Sequence, residues 1–239
     1  MISNNVRIIL DRISQAARKV NRNHQEILII AVTKGIPIDK IKEAIDSGLT
    51  NFGENRIQEF EQKASFLINY AAQKNINLKF HMIGHLQTNK VNKALKIFDM
   101  IQSVDSLRLV KKINQSTINS DKKIDILIEI NISEEYSKFG IPINEAIPFL
   151  KKACDFEKVQ VRGLMAMAPI VKDKEEARPY FRALRQLRDK ILEINDSYFR
   201  ERIKMDYLSM GMSQDYEVAV EEGSNMLRIG RAIFSSDYE

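Results

Sequence analysis

The sequence predicts an α/β fold, a single (β/α)8 TIM barrel with an additional N-terminal helix. Three observations predict it. Eight short β-like runs alternate with amphipathic helical stretches along the 239 residues, and strict alternation builds a parallel sheet. The first run, ILIIAV at 27–32, is apolar at every position, as a strand covered on both faces must be. The turn after it, TKGIP, lacks the G-x-G-x-x-G of the rival doubly wound sheet.

Taken in order, the strands are predicted at 27–34, 50–55, 77–84, 100–105, 123–132, 159–169, 207–212 and 226–234. Helical patterns fill the gaps, as at 38–48, 56–74 and 175–195. Ser106 is an N-cap candidate and Gly48 a C′ candidate. Ahead of the first strand, Val6, Ile9, Leu10, Ile13, Ala17 and Val20 recur at helical spacing. They predict an amphipathic helix that takes the place in the outer ring of a helix after strand eight. No Pro/Gly/Ser-rich linker or internal repeat interrupts the chain, so 1–239 is expected to form one domain.

Composition excludes several classes. Apolar residues make up 44% and charged residues 29% of the chain, the profile of an ordinary soluble globule. The one cysteine, Cys154, rules out a disulfide framework and a Cys-based zinc site, and fits a reducing, cytoplasmic setting. It is expected to be buried and inert. No apolar run reaches the length of a membrane span, and charges interrupt the N-terminus too early for a secretory signal. The net charge is +5, but Lys and Arg are mixed with Asp and Glu throughout. A nucleic-acid binder gathers its positive charge on one face, so none is expected as a partner.

Active sites of such barrels lie at the C-terminal ends of the strands. There the predicted strands carry Lys34, then Gly53, Glu54 and Asn55, then His81, Gly84 and His85, then Ser103 and Asp105. Strands five and six add Asn131, Ser133, Met165 and Met167. The last two are the most specific. LSMGMS supplies Ser209, Gly211 and Ser213, and LRIGRA supplies Arg228 and Gly230. Loops after strands seven and eight are the usual phosphate site of phosphate-binding barrels, and glycine-flanked N–H groups with serine hydroxyls cradle a dianion. Crowding relief would explain one of these glycines, but not the set.

A lysine ending a core strand is unusual, because lysines are almost never fully buried without a partner. Beside apolar walls, desolvation would free the Lys34 amine to act as a Schiff-base nucleophile toward an aldehyde. With a phosphate cup on the same face, two ligands fit: pyridoxal 5′-phosphate (PLP) and a phosphosugar aldehyde. Arg228, two residues before Gly230 and on its face, could donate to a pyridine nitrogen. It would keep that nitrogen unprotonated, since guanidinium does not release its proton. Its simpler roles are a phosphate contact or a structural ion pair. His81 and His85 have an HxxxH spacing without the glutamate of HExxH, so no metal is expected. One of them could stack on or donate to a ring. Met165 and Met167 are expected to pack inside the barrel.

AVTKGIP, FGENRIQEF, HMIGHLQTNKV, SVDS, INISEEYSKFGIP, GLMAMAP and LSMGMSQDYEVAVEEGSNMLRIGRAIF occur in that order from residue 27 to the C-terminus. Together they resemble the pyridoxal phosphate homeostasis protein family, also called the proline synthase co-transcribed family. The resemblance implies a PLP barrel similar to the N-terminal domain of alanine racemase, with PLP held as an internal aldimine on Lys34. It matches Asn55 to the family's strand-two asparagine. It also matches Ser209, Gly211, Ser213, Gly230 and the backbone of Arg231 to its phosphate cup, and Arg228 to its pyridine-side arginine. Three positions depart from the family pattern: Arg56 for a tyrosine, Gln102 for a histidine, and Ser235 for a glycine.

The resemblance implies a role in PLP (vitamin B6) homeostasis, with PLP-dependent apoenzymes as recipients and no established turnover. The alternative is a PLP-dependent racemase or lyase of low activity. A racemase needs an acid/base on each face of the bound group. The second-domain tyrosine of alanine racemase is expected to be missing, since the chain ends five residues after its last predicted strand. Without the domain that forms the racemase dimer, a monomer is expected. Tyr136 and Tyr207 are conceivable replacements, and Lys40 or Lys138 conceivable stand-ins for Lys34. A phosphosugar aldolase using Lys34 directly is a third reading.

Overall fold

The computed structural model describes residues 1–120, 122–133, 135 and 139–236. The predicted Tyr136 and Lys138 lie outside them. In chain order the strands are β1 (Leu28–Val32), β2 (Asn51–Glu54), β3 (Lys79–Met82), β4 (Met100–Val104), β5 (Ile124–Asn131), β6 (Ile141–Pro142), β7 (Val159–Met165), β8 (Ile203–Ser209) and β9 (Met226–Ile229). They hydrogen-bond in the order β4-β3-β2-β1-β9-β8-β7-β5, and a β4–β5 pairing closes the ring. Every pairing is parallel, with Ala31 opposite Phe52 and Ile30 opposite Arg228. The two-residue β6 adds to the end of β5. Among the described residues this is a closed barrel of eight parallel strands with helices around it.

The helices are α1 (Ile2–Lys19), α2 (Ile38–Asp46), α3 (Ile57–Ala72), α4 (Val91–Ala94), α5 (Leu107–Ser116), α6 (Ala146–Ala153), α7 (Arg178–Leu192), α8 (Ser197–Arg202), α9 (Tyr216–Glu221) and α10 (Arg231–Phe234). Helix α1 packs against α2, α9 and α10, as the N-terminal stripe predicts. Its buried face includes Val6, Ile9, Ile13 and Ala17, but Leu10 and Val20 are exposed. Asn5 lies on the buried face instead, where its Nδ2 donates to the carbonyls of Ile233 and Ser235, both at 3.0 Å. The predicted caps are present. Ser106 Oγ accepts from Leu109 N at 3.4 Å, and Gly48 follows α2 at φ +91°, a conformation glycine adopts without strain.

Alternation along each strand sorts two cores. The larger lies between barrel and helices. The smaller fills the barrel with Ile30, Met100, Leu127, Met165 and Met226, against which Leu28 and Tyr207 pack. Met165 is thus interior, as expected, while Met167 is 43% exposed beyond the end of β7. Tyr207 faces this inner core and Arg162 rather than the C-terminal mouth. The largest departures from the expected strand limits are three. β8 starts at Ile203, β7 ends at Met165, and β9 ends at Ile229, with 231–234 turning into α10. Apolar runs of this kind suit a strand or a buried helix equally well.

Candidate functional site

A cavity of about 400 Å³ opens at the C-terminal ends of the strands, within the range of small-molecule and cofactor sites. Val32 of β1, Asn55 after β2, Gly84 and His85 after β3, and Glu129 of β5 form one side. The β8–α9 loop closes the other with Met212, Ser213, Gln214 and Asp215, together with Arg228, Gly230 and Arg231. A second hollow adjoins it, lined by Lys34, Arg56 and Lys90, and sharing Asn55, Gly84 and His85 with the first.

The loop wall is built to present donors. Asp215 Oδ1 accepts from Met212 N at 2.6 Å, closing a tight turn, and burial pushes the Asp215 carboxyl up. The backbone N–H groups of Ser213 and Gln214 have no acceptor among the described residues. Ser213 Oγ accepts from Ala232 N at 3.1 Å, which ties this loop to the start of α10. Gly211 does different work. At φ +94°, a Cβ there would fall 2.5 Å from that of Ala219, so this glycine lets α9 pack onto the strand end. It does not line the cavity.

Arg228 forms part of the floor. It is 4% exposed. Its Nη1 donates to Ser209 O and Oγ at 2.7 and 2.6 Å, and its Nη2 to Ala166 O at 2.8 Å. The other guanidinium N–H groups have no acceptor among the described residues and remain for a ligand. Burial lowers its pKa to about 10, while the carboxylates of Glu129 and Asp215 hold the charge. Ser209 and His81 sit beneath this floor and line neither hollow. The Ser209 hydroxyl accepts from Arg228 and donates to Gln102 Oε1 at 2.7 Å, so it is spent within the protein and does not face the cavity as expected. His81 is neutral, with burial lowering its pKa to about 4.

Lys34 lies two residues past β1, exposed, at the lip of the second hollow. Ile57, Met82 and Leu86 line that hollow, but Lys34 is not enclosed by them as expected, and the contacts that hold its turn are polar. Glu59 of α3 accepts from Gly35 N at 2.7 Å, and this contact, ahead of Lys63, lowers the Glu59 pKa. Thr33 Oγ1 donates to the buried Glu54 at 2.8 Å. Lys63 lies between the two carboxylates, 3.9 Å from Glu54 and 3.3 Å from Glu59. Lys40 donates to Phe234 O at 3.5 Å and lines neither hollow, whereas Lys90 lines the second.

Of the predicted residues, the structure brings Asn55, Ser213, Arg228, Gly230 and Arg231 to one cavity, with Lys34 next door. His85 joins them, stacked on Phe139 with ring centroids 4.1 Å apart. Among the described residues no cluster suits a metal ion. Cys154 is buried with Sγ on Leu150 O, and burial pushes its thiol up. The residue missed in the sequence is Glu129. It lines the cavity, 4% exposed. Burial, aided by Asp105, raises its pKa to about 7 against the pull of Arg228. Its signal was a single carboxylate in the apolar run ILIEINI. No described helix is long and apolar enough to cross a membrane.

Comparison with known proteins places this architecture. Residues 8–237 match the alanine racemase N-terminal domain family. The chain is 36% identical to the pyridoxal phosphate homeostasis protein of Aquifex aeolicus, over 95% of this chain and 94% of that one. It is also 36% identical to the protein of that name from Escherichia coli K12, over 99% and 97%. A crystal structure of an unknown protein from Bifidobacterium adolescentis matches with a TM-score of 0.90 at 36% identity, over 98% and 94%. PipY of Synechococcus elongatus PCC7942, solved with PLP bound, matches with a TM-score of 0.78 at 27% identity, over 98% of this chain and all of that one. The chain belongs to the pyridoxal phosphate homeostasis protein family, on the alanine racemase N-terminal fold.

Proposed function

We propose that this protein binds PLP and serves PLP homeostasis, holding the cofactor for release rather than consuming a dedicated substrate. The observation that carries the reading is the cavity floor and wall together. A buried arginine keeps N–H groups free toward the cavity, and the Ser213–Gln214 backbone offers unpaired donors beside it. One end of such a site suits a phosphate dianion, and the arginine suits a neutral ring nitrogen that accepts a hydrogen bond.

When bound, PLP supplies an aldehyde and an electron-accepting ring. Ser213, Gln214, Gly230 and Arg231 would hold its phosphate, Arg228 its ring nitrogen, and Lys34 its aldehyde carbon. An unprotonated ring nitrogen makes a weaker electron sink than the pyridinium of many PLP enzymes. The exposed position of Lys34 favours exchange of the aldehyde with solvent-borne amines over chemistry that needs excluded water. PLP-requiring apoenzymes of the cytoplasm are the recipients in this reading, and the carrier is a monomer.

Glu129 favours a second reading, a PLP-dependent racemase or lyase of low activity. A carboxyl that titrates about pH 7 at a cavity wall is matched to acid/base work at that pH.

The test is the absorbance spectrum of the protein with PLP, followed by borohydride reduction and peptide mapping. An imine band with pyridoxyl mass on the Lys34 peptide is expected. No band after adding PLP would sink the proposal. Amino-acid turnover abolished by both Lys34→Ala and Glu129→Gln would replace the carrier by the enzyme.

A further inference from the structure

The hydrogen bonds beneath Arg228 have a direction. Guanidinium only donates. Ser209 Oγ, 2.6 Å from Arg228 Nη1, therefore accepts, and its own proton goes to Gln102 Oε1 at 2.7 Å. Met226 Sδ, 3.1 Å from the far end of the Gln102 amide, can only accept, so that end is Nε2 and the end facing Ser209 is Oε1. Gln102 Nε2 then faces His81 Nδ1 at 3.1 Å and Met226 Sδ at 3.1 Å. A thioether sulfur accepts and does not donate. An imidazole nitrogen opposite an amide N–H must likewise accept, so Nδ1 carries no proton. Neutral His81 then carries its proton on Nε2 and donates to Asn51 Oδ1 at 3.1 Å.

The line runs from β9 through β8, β4 and β3 to the first residue of β2. Gln102, His81, Ser209 and Arg228 are all buried, so water does not offer the line alternative partners. Buried side chains whose mutual contacts are all made specify one arrangement of the line.

We propose that Gln102 is the positioning residue that aims Arg228 at the cavity, acting through Ser209 and anchored by a His81 held in its Nε2–H form. This deepens the function proposed above and rests on it for the identity of the ligand. The side-chain line itself stands on ligand-free geometry. Gln102 touches no part of the cavity and acts only through Arg228. A glutamine can serve because it accepts at one end and donates at the other, which neither a carboxylate nor a thioether does.

Nitrogen-15 spectra of the ligand-free protein at pH 7 decide the matter first. An unprotonated Nδ1 and a protonated Nε2 on His81 are expected, with separate guanidinium N–H signals for Arg228, whose rotation is frozen. Gln102→Glu can only accept from both neighbours, and it should move the His81 proton to Nδ1 or charge the ring. Gln102→Met should merge the Arg228 signals, shift the absorbance maximum of bound PLP, and raise its dissociation constant about tenfold, the loss of one charge-assisted contact.

An Nδ1–H or charged His81 in the parent would overturn the proposal, and that reading needs no variant to fold. Unchanged Arg228 signals in a folded Gln102→Met would overturn it as well. If PLP fails to bind the parent, the cofactor reading falls, and the ligand-free spectra still decide whether Gln102 holds Arg228.

Discussion

The cavity and the hollow beside it are built on opposite principles. On the β8–β9 side, Arg228 is buried, bonded to Ser209 and Ala166, and backed by a line of side chains that crosses the barrel. On the β1–β3 side, Lys34 stands exposed on a turn held from below by Glu59 and Lys63. The first side is preorganised, and preorganisation is what recognition of a fixed shape rewards. The second leaves its amine exposed. A site that must hold a molecule firmly and still let go benefits from dividing those tasks between two walls.

Truncating the central cation of each side separates them most. Arg228→Ala leaves Ser209 and Ala166 without their donor and Glu129 and Asp215 without a counter-charge. Breaking a buried charged set in this way costs about 3–5 kcal/mol. Lys34→Ala removes an exposed side chain and should change stability by less than about 0.5 kcal/mol. Urea denaturation of the ligand-free variants reads both. Equal losses would show that the Lys34 side carries as much of the fold as the Arg228 side.

The fold was legible because its signals are local. Eight apolar or alternating runs and the helical stripes between them can be read without knowing what packs on what. The limits were less legible. AIF at 232–234 continues an apolar run and yet forms α10, since only tertiary context separates a buried strand from a buried helical turn. The site was legible where a residue type is odd for its place, as with Lys34, Arg228 and the serine–glycine loop. It was misread where depth decides. Ser209 and Ser213 look alike in LSMGMS, but the strand ends between them, so one hydroxyl lies under the floor and the other in the wall. Glu129 was there to be found by period-two counting, since it falls two residues after Leu127, which faces the barrel interior.

Acidity gives a second contrast, now within the barrel. His81 has its pKa lowered from 6.5 to about 4, so its neutral form stabilises the fold fully above pH 6.5 and that contribution is lost as pH falls toward 4. Glu129 has its pKa raised from 4.5 to about 7. Its penalty is absent below pH 4.5, grows as pH rises, and is complete above 7. Each spans about 3 kcal/mol at most, from 1.36 kcal/mol per pKa unit. Between pH 4.5 and 6.5 the two slopes oppose each other. Glu129→Gln should tilt the profile, matching the parent at pH 4.5 and exceeding it by about 2–3 kcal/mol at pH 7.5. Denaturation midpoints across that range would show it, and a tilt of opposite sign would refute the assignment of Glu129.

The smallest effect belongs to the turn under Lys34. Glu59 accepts from Gly35 N at 2.7 Å and faces Lys63 at 3.3 Å, with its side chain 30% exposed. Solvent screens such a contact, so Glu59→Gln should cost less than about 1 kcal/mol in global stability. Its local effect should be larger, because Gly35 N has Glu59 as its acceptor and the amide of a Gln side chain accepts less strongly than a carboxylate. Hydrogen exchange at Gly35 should quicken, while that of Ala232, held by Ser213 across the cavity, stays as it was. If both amides quicken together, the two walls move as one body. If only Gly35 does, the Lys34 turn moves independently of the loop that Ser213 ties down, and in the function proposed above its loosening should speed exchange of the aldehyde.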